Sequence, residues 1–158
     1  MTLPLIQEAS CSDAIWVARH LQADDQRELE GLGFPWIEDA LRLSFEVSDT
    51  VVTFRNPVGD ICGVAGVSRT DAHSGAIWML TTPHVRPYPK LFYKEAKKWV
   101  EQQTSYEMLH NIADPRNRMH MKLLHMLGFK RLGYVITPTN LTYVEFAKLT
   151  KCVVQPLP

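Results

Sequence analysis

The fold is decided by Asn111-Ile112-Ala113-Asp114-Pro115-Arg116-Asn117-Arg118-Met119-His120-Met121-Lys122-Leu123-Leu124-His125-Met126-Leu127-Gly128-Phe129. The stretch begins as the end of an apolar strand and turns at Asp114-Pro115. Its apolar spacing then predicts a helix from about Pro115 to Met126, with Asp114 as the N-cap. Gly128 suits the left-handed position that follows a helix end. The stretch therefore predicts strand, turn, helix and the start of a further strand.

Working outward, the sequence predicts a helical first third and a strand-rich remainder. The order is a short strand, three helices, three strands, a helix from about Lys90 to Gln103, a strand, the helix just quoted and two closing strands. We expect one α+β (mixed α/β) domain over residues 1–150. Its central sheet is a mostly antiparallel, twisted one of about six to seven strands, with flanking helices and one parallel β-α-β crossover. Residues 151–158 are expected to be a short, loosely held C-terminal tail.

Composition excludes several classes of function. The 158 residues carry 17 basic and 17 acidic side chains, so no bulk charge attracts nucleic acid or an anionic membrane. Cys11, Cys62 and Cys152 lie far apart without a CxxC pair, and His120 and His125 are five residues apart. We therefore expect no disulfide framework and no metal site. The N-terminal residues lack the pattern of a signal peptide, which favours a cytoplasmic protein. Trp36, Trp78 and Trp99 are expected in the core.

The quoted stretch resembles the last motif of the GNAT N-acetyltransferases, N-x-x-A-x-x-L-Y-x-x-x-G-F. Asn117, Leu123, Gly128 and Phe129 stand at the spacings of that motif. The order of elements is also similar to that of the family. The resemblance implies a GNAT-like fold and binding of acetyl-CoA or CoA.

A second resemblance covers nearly the whole chain. It is to GNAT-like proteins of tailed bacteriophages, some of which are internal virion proteins. The matching segments are the opening stretch and residues 23–29, 38–48 and 90–100. This resemblance implies a place in the host cytoplasm or in the virion, with a host enzyme or virion proteins as partners. The oligomeric state is left open.

The GNAT resemblance implies where the cofactor binds. Pantetheine would bond the strand of Leu80, Thr81 and Thr82, and Asn117 would face the CoA arm. The pyrophosphate loop would fall at His84 to Pro89, where the glycine positions coincide with Val85, Pro87 and Pro89. Proline has no N–H to offer a phosphate. Arg86 and Lys90 would supply direct charge instead.

The resemblance leaves the catalytic groups open. Leu124 stands where the family often has a tyrosine that protonates the CoA thiolate. Other candidate proton donors are His84, His110, His125, Tyr134 and Tyr143. Candidate general bases near element ends are Glu46, Asp49, His110 and Asp114.

Two hypotheses follow. In the first, the protein transfers an acyl group from acetyl-CoA to an amine on a protein or a small molecule, without a covalent enzyme intermediate. In the second, it is a GNAT-fold binding protein without catalysis, acting as an internal virion component or on a host protein during infection. The substituted tyrosine and glycine positions favour the second, and the retained Asn117 favours the first.

Overall fold

A computed structural model describes residues 4–150 of the chain. The predicted tail, residues 151–158, lies outside the described residues. Within that range the strands are β1 (Ile6–Glu8), β2 (Thr50–Arg55), β3 (Ile61–Arg69), β4 (Ser74–Thr81), β5 (Met108–Ala113), β6 (Lys130–Ile136) and β7 (Thr142–Leu149). The helices are α1 (Cys11–Arg19), α2 (Ala23–Gly31), α3 (Ile37–Val47), α4 (Pro89–Glu101) and α5 (Arg118–Met126), with a 3₁₀ turn at Pro83–Val85.

The strands of the described range form one seven-stranded sheet in the order β1-β2-β3-β4-β5-β7-β6. Among them, β4 and β5 pair in parallel and every other neighbouring pair is antiparallel. The parallel pair is joined through α4, the crossover that a parallel connection requires. The mixed fold predicted from the sequence, with its mostly antiparallel sheet and flanking helices, is confirmed.

Helices cover both faces of the sheet. The α4 side chains Phe92, Ala96 and Trp99 pack with residues of α5 and the sheet in the larger apolar cluster. On the other face, Val17 of α1 and Leu41 of α3 pack against β3. Because both faces are covered, β3 is almost entirely buried, with Val64, Ala65 and Val67 at 0% exposure.

The start of α5 differs from the prediction. The helix begins at Arg118 and its N-cap is Asn117, whose side chain accepts a hydrogen bond from the His120 amide. The prediction that Asp114 is the N-cap was wrong. Arg116 donates to both Asp114 carboxylate oxygens, which folds residues 114–116 into a turn before the helix. The helix stop is confirmed, since Gly128 has φ +90°.

Trp36 is not in the core, contrary to the sequence prediction. It precedes α3 and is 70% exposed. Phe34, Leu43 and Val47 are also exposed, so an apolar surface runs along α3. In the described range no helix combines the length and apolar character needed to cross a membrane.

Candidate active site

The site begins where β4 and β5 part. Their parallel pairing covers Ser74↔Met108, Gly75↔Leu109 and Ala76↔His110 and then ends. Both strands continue, β4 to Thr81 and β5 to Ala113. The remaining half of β4 therefore has β3 as a partner on one side and a gap on the other.

Strand register shows which main-chain groups face the gap. Thr82 donates its N–H to Cys62 O at 2.8 Å, on the β3 side. Main-chain groups alternate along a strand, so those of Leu80 also face β3. The N–H and C=O of Met79 and Thr81 then point into the gap. Of the predicted residues Leu80, Thr81 and Thr82, Thr81 therefore turns its main chain towards the gap, whereas Leu80 and Thr82 turn theirs towards β3.

Thr81 and Thr82 already form hydrogen bonds with other residues of the protein. The Thr81 amide donates to Asp25 Oδ2 at 2.8 Å, and its carbonyl accepts from the Gln22 amide at 3.0 Å. Thr82 is fully buried, donates its hydroxyl to Ile61 O and caps the 3₁₀ turn. Met79 is thus the residue whose main chain faces the gap without these contacts.

Two concave spaces meet at the gap. A cleft of about 450 Å³ lies between the end of β4, the start of α4 and α5. A smaller, apolar cavity of about 100 Å³ lies between α2, α3 and the parted strands. Met79, His120 and Leu123 line both spaces. The three residues mark the junction through which a ligand in the cleft would meet one in the cavity.

One wall of the junction is a buried polar cluster, which we call the α2–α5 cluster: Asp25, Glu28, Asn117 and His120. The Asn117 amide group donates to Asp25 Oδ1 at 2.8 Å and to Glu28 Oε2 at 3.1 Å. Asp25 and Glu28 are each 8% exposed and Asn117 is 2% exposed. Buried carboxylates require such donors. Asn117 therefore caps α5 and holds two carboxylates of α2 against it.

His120 completes the α2–α5 cluster. Its Nδ1 lies 3.1 Å from Glu28 Oε2. Burial lowers the pKa of His120, but the charge and hydrogen bond of Glu28, with the charge of Asp25, outweigh burial and raise it above 6.5. Asp25 and Glu28 thus favour the charged imidazolium at the junction.

The other end of the cleft is the predicted pyrophosphate loop. Its amides are bonded within the loop: His84 N–H to Thr82 Oγ1, Val85 N–H to Thr82 O, Arg86 N–H to Pro83 O and Tyr88 N–H to Val85 O. Pro87 and Pro89 have no N–H. Phe92 bonds Tyr88 O, so helix geometry leaves Lys90 and Leu91 as the donors at the start of α4.

Side chains add charge at this end. Lys90 is exposed and lines the cleft. Arg86 donates from Nε to Gln22 Oε1 at 3.1 Å, which ties the loop to the residue preceding α2. An anion at the start of α4 would meet two main-chain amides and the Lys90 side chain, in place of a ring of loop amides.

The predicted bases lie apart. Glu46 is exposed on α3, and Asp49 accepts from Tyr106 Oη at 2.7 Å. His110 Nε2 lies 3.0 Å from Thr70 Oγ1. Burial raises the pKa of Asp114, but hydrogen bonds from Arg116 outweigh it and hold that pKa below its ordinary value. Within the described part of the chain, these four residues do not line the cleft or the cavity, and none of them lies at the junction between the two.

The predicted proton donors are also dispersed. His125 and Tyr134 are exposed, and His84 Nδ1 lies 3.5 Å from Asp60 on the surface. Tyr143 is fully buried and donates its hydroxyl to Glu28 O at 2.7 Å. Burial, then the charge of Asp114, raises the pKa of Tyr143 to about 12. Leu124 is buried in the apolar cluster and lines the cavity.

Sequence reasoning missed Gln22, Asp25, Glu28 and His120. Two spacings carried a signal: Asp25 and Glu28 are three residues apart on one helix, and Asn117 and His120 are three apart across the start of another. Neither spacing tells that the two helices touch. In the described part of the chain, no cluster of three or more metal-ligating side chains is present.

No protein-family model matches the sequence, and no curated protein matches it either. Solved structures do match its architecture. The aminoglycoside acetyltransferase AAC(6')-Ib, in complex with ribostamycin and coenzyme A, has a TM-score of 0.67 at 17% identity, covering 91% of this chain and 92% of that chain. Spermidine N-acetyltransferase from Vibrio cholerae, in complex with CoA and spermine, has a TM-score of 0.67 at 9% identity, covering 92% and 94%.

A ribosomal-protein-S5-alanine acetyltransferase from Vibrio fischeri matches with a TM-score of 0.58 at 13% identity, covering 95% of this chain and 96% of that chain. All three are acetyltransferases of GNAT architecture. The chain has the GNAT fold. Within this fold, strands β4 and β5 of the chain part, and its cleft and apolar cavity share lining residues at the gap.

Proposed function

We propose that the protein is a GNAT-type acyltransferase that binds acetyl-CoA in the cleft and transfers the acyl group to an amine on a small molecule or a protein. One observation carries the proposal: the main chain of Met79 faces the gap where β4 and β5 part, at the junction of cleft and cavity. An extended amide-containing arm such as pantetheine can pair with a free strand edge. Its thioester would then lie beside the cavity from which an acceptor would approach.

The charged end of the cleft supports the same placement. The start of α4 and the Lys90 side chain, which lines the cleft, present positive charge there, and Arg86 precedes them at the end of the 3₁₀ turn. Phosphates bind such helix starts. The neighbours crystallised with CoA share the fold, and amines appear among their ligands, as ribostamycin and spermine.

Calorimetry with acetyl-CoA, CoA and acetyl-pantetheine tests the proposal. We expect acetyl-CoA to bind, and acetyl-pantetheine to retain part of that affinity because the Met79 edge needs no phosphate. Lys90→Glu should weaken acetyl-CoA binding more than tenfold, since it reverses the charge at the helix start. Lys130→Glu, on the exposed edge strand β6, is the matched control and should bind as the native protein does. Absence of acetyl-CoA binding at millimolar ligand would sink the proposal.

The second candidate is a GNAT-fold binding protein that has lost catalysis, as an internal virion component or a modulator of a host protein. Two observations favour it: the loop amides from His84 to Tyr88 are bonded internally, and apolar side chains along α3 are exposed. This candidate predicts no CoA binding together with specific capture of a partner from phage particles or infected cells. Trp36→Asp should abolish that capture without changing the fold.

A further inference from the structure

His120 is the one titratable side chain among the three described residues that line both the cleft and the cavity. Its Nδ1 is held by Glu28, and its side chain is 18% exposed. If Nδ1 donates the hydrogen bond to Glu28, Nε2 is the ring nitrogen available to a ligand. No role in the proposed function so far requires this nitrogen.

We propose that His120 is the acid that protonates the departing sulfur of CoA, an inference that rests on the proposed acyl transfer. A neutral amine nitrogen attacks the thioester carbonyl carbon, and the new C–N bond forms. The C–S bond breaks, and its electron pair stays on sulfur. The Nε2 proton passes to that sulfur and gives the free thiol, while the proton released by the acylated nitrogen restores the imidazolium.

The surroundings of His120 suit an acid. The cleft is lined by Asp24 and Asp25 of α2, by Lys90 of α4 and by Lys122 of α5. Glu28 of α2 lines the cavity and adds a further negative charge. Met79 of β4 and Phe146 of β7, which meets the ring edge-on at 6.3 Å, carry no charge. Burial lowers the pKa of His120, but the charges of Glu28 and Asp25 outweigh it and raise that pKa, which favours the protonated ring.

Helix geometry places the ring suitably. His120 and Leu124 are four residues apart on α5 and therefore lie on the same face. The imidazole projects from that face one turn nearer the start of the helix than Leu124. Met79 lines the same junction, where the pantetheine arm would end.

The first test needs no acceptor. Free CoA bound to the native protein should have its thiol pKa lowered, because a thiolate beside the His120 imidazolium is stabilised. The thiolate absorbance of the CoA complex, followed against pH, measures this pKa. In His120→Gln the bound thiol should titrate as in free CoA while CoA still binds. An unlowered thiol pKa in the native complex would overturn the inference and leave CoA binding intact.

The second test follows thiol release from acetyl-CoA with hydroxylamine, a nucleophile that is uncharged near neutrality. The native kcat should fall as pH rises above the His120 pKa, because an acid must be protonated. His120→Gln should lower kcat by about 100- to 10,000-fold and remove that alkaline limb. Glu28→Gln keeps the ring and should move the limb to lower pH, a change that a merely structural role would not produce.

His73→Gln is the matched control, since His73 is exposed at the opposite end of β4. It should leave rate and profile unchanged. A native protein that binds no CoA would remove the proposed function and the inference together. A native protein that binds CoA and transfers the acyl group, with the same rate and pH profile in folded His120→Gln, would overturn the inference alone.

Discussion

The two ends of the cleft are built in different ways. At the β4 end, main-chain groups of Met79 are open, and side chains of α2 and α5 build the wall through long-range hydrogen bonds. At the α4 end, the loop amides are bonded within the loop and the exposed charge comes from Arg86 and Lys90. Gln22 contacts both ends, through Thr81 and Arg86.

The difference separates two sources of affinity. Hydrogen bonds to a fixed strand edge respond little to salt, whereas contacts between phosphates and exposed basic side chains weaken as salt rises. The α2–α5 cluster, in turn, determines how well the wall beside Met79 is held. Each end can therefore be weakened without the other.

The largest effect is expected from Asn117→Ala, which removes both the α5 N-cap and the donor shared by Asp25 and Glu28. A lost cap costs about 1 kcal/mol, and unpaired buried carboxylates add about 1–3 kcal/mol. We expect the free energy of unfolding, from denaturant titration, to fall by about 2–4 kcal/mol.

Ser10→Ala is the matched control for Asn117→Ala. Ser10 caps α1 with its side chain but is exposed and holds no buried carboxylate. It should cost about 1 kcal/mol. Equal losses in the two variants would mean that the carboxylates of α2 do not depend on Asn117.

The same difference between local and long-range contacts decides which elements the sequence predicts. Elements were predictable wherever the signal is local: the helix stop at Gly128 and the periodicity of α4 both follow from neighbouring residues. The start of α5 was not predictable from the sequence, because Asp114 and Asn117 are both residue types that favour the N-cap position. Two contacts distinguish them: Arg116 occupies the Asp114 carboxylate, and Asn117 bonds Asp25, 92 residues away in sequence.

The missing amides at the α4 end were predictable from the sequence, and the contacts at the β4 end were not. Because proline has no N–H, Pro87 and Pro89 predict the missing amides directly from the sequence. Which main-chain groups of β4 face the gap depends on its register with β3, and one residue of shift exchanges Leu80 for Met79. The α2–α5 cluster depends on the contact of two helices that are distant in sequence, which no spacing shows.

A second, smaller effect concerns the pH dependence of stability at the β4 end. The folded pKa of His120 is raised, so its stabilising contribution is complete below the unfolded pKa of about 6.5. It is lost as pH rises through the folded pKa. We expect the difference in unfolding free energy between the native protein and His120→Gln to shrink as pH rises through this window. A difference that grows with pH would contradict the assignment of charge to His120.

A third effect concerns the α4 end. Arg86→Ala should weaken acetyl-CoA binding by about three- to fivefold at low salt, since an exposed charge contact is worth up to about 1 kcal/mol. The loss should nearly vanish at 1 M salt, where the screening length falls to about 3 Å. Calorimetry with acetyl-pantetheine is the control, because that ligand lacks the phosphates and should be indifferent to Arg86. A loss that persists at high salt would place Arg86 in a desolvated contact.

The smallest effect is expected from Pro89→Ala, which restores an N–H at the first position of α4. A third free amide at the helix start should tighten acetyl-CoA binding by about two- to fivefold, the value of one hydrogen bond. The same change should lower the unfolding free energy by about 0.4–1 kcal/mol, because alanine has more freedom in the unfolded chain. Pro57→Ala, in the exposed turn after β2, is the control: it should lower the unfolding free energy by a similar amount without changing the affinity for acetyl-CoA. If Pro89→Ala leaves affinity unchanged, the phosphates do not lie at the helix start, and the charge of Arg86 and Lys90 is all that this end of the cleft contributes.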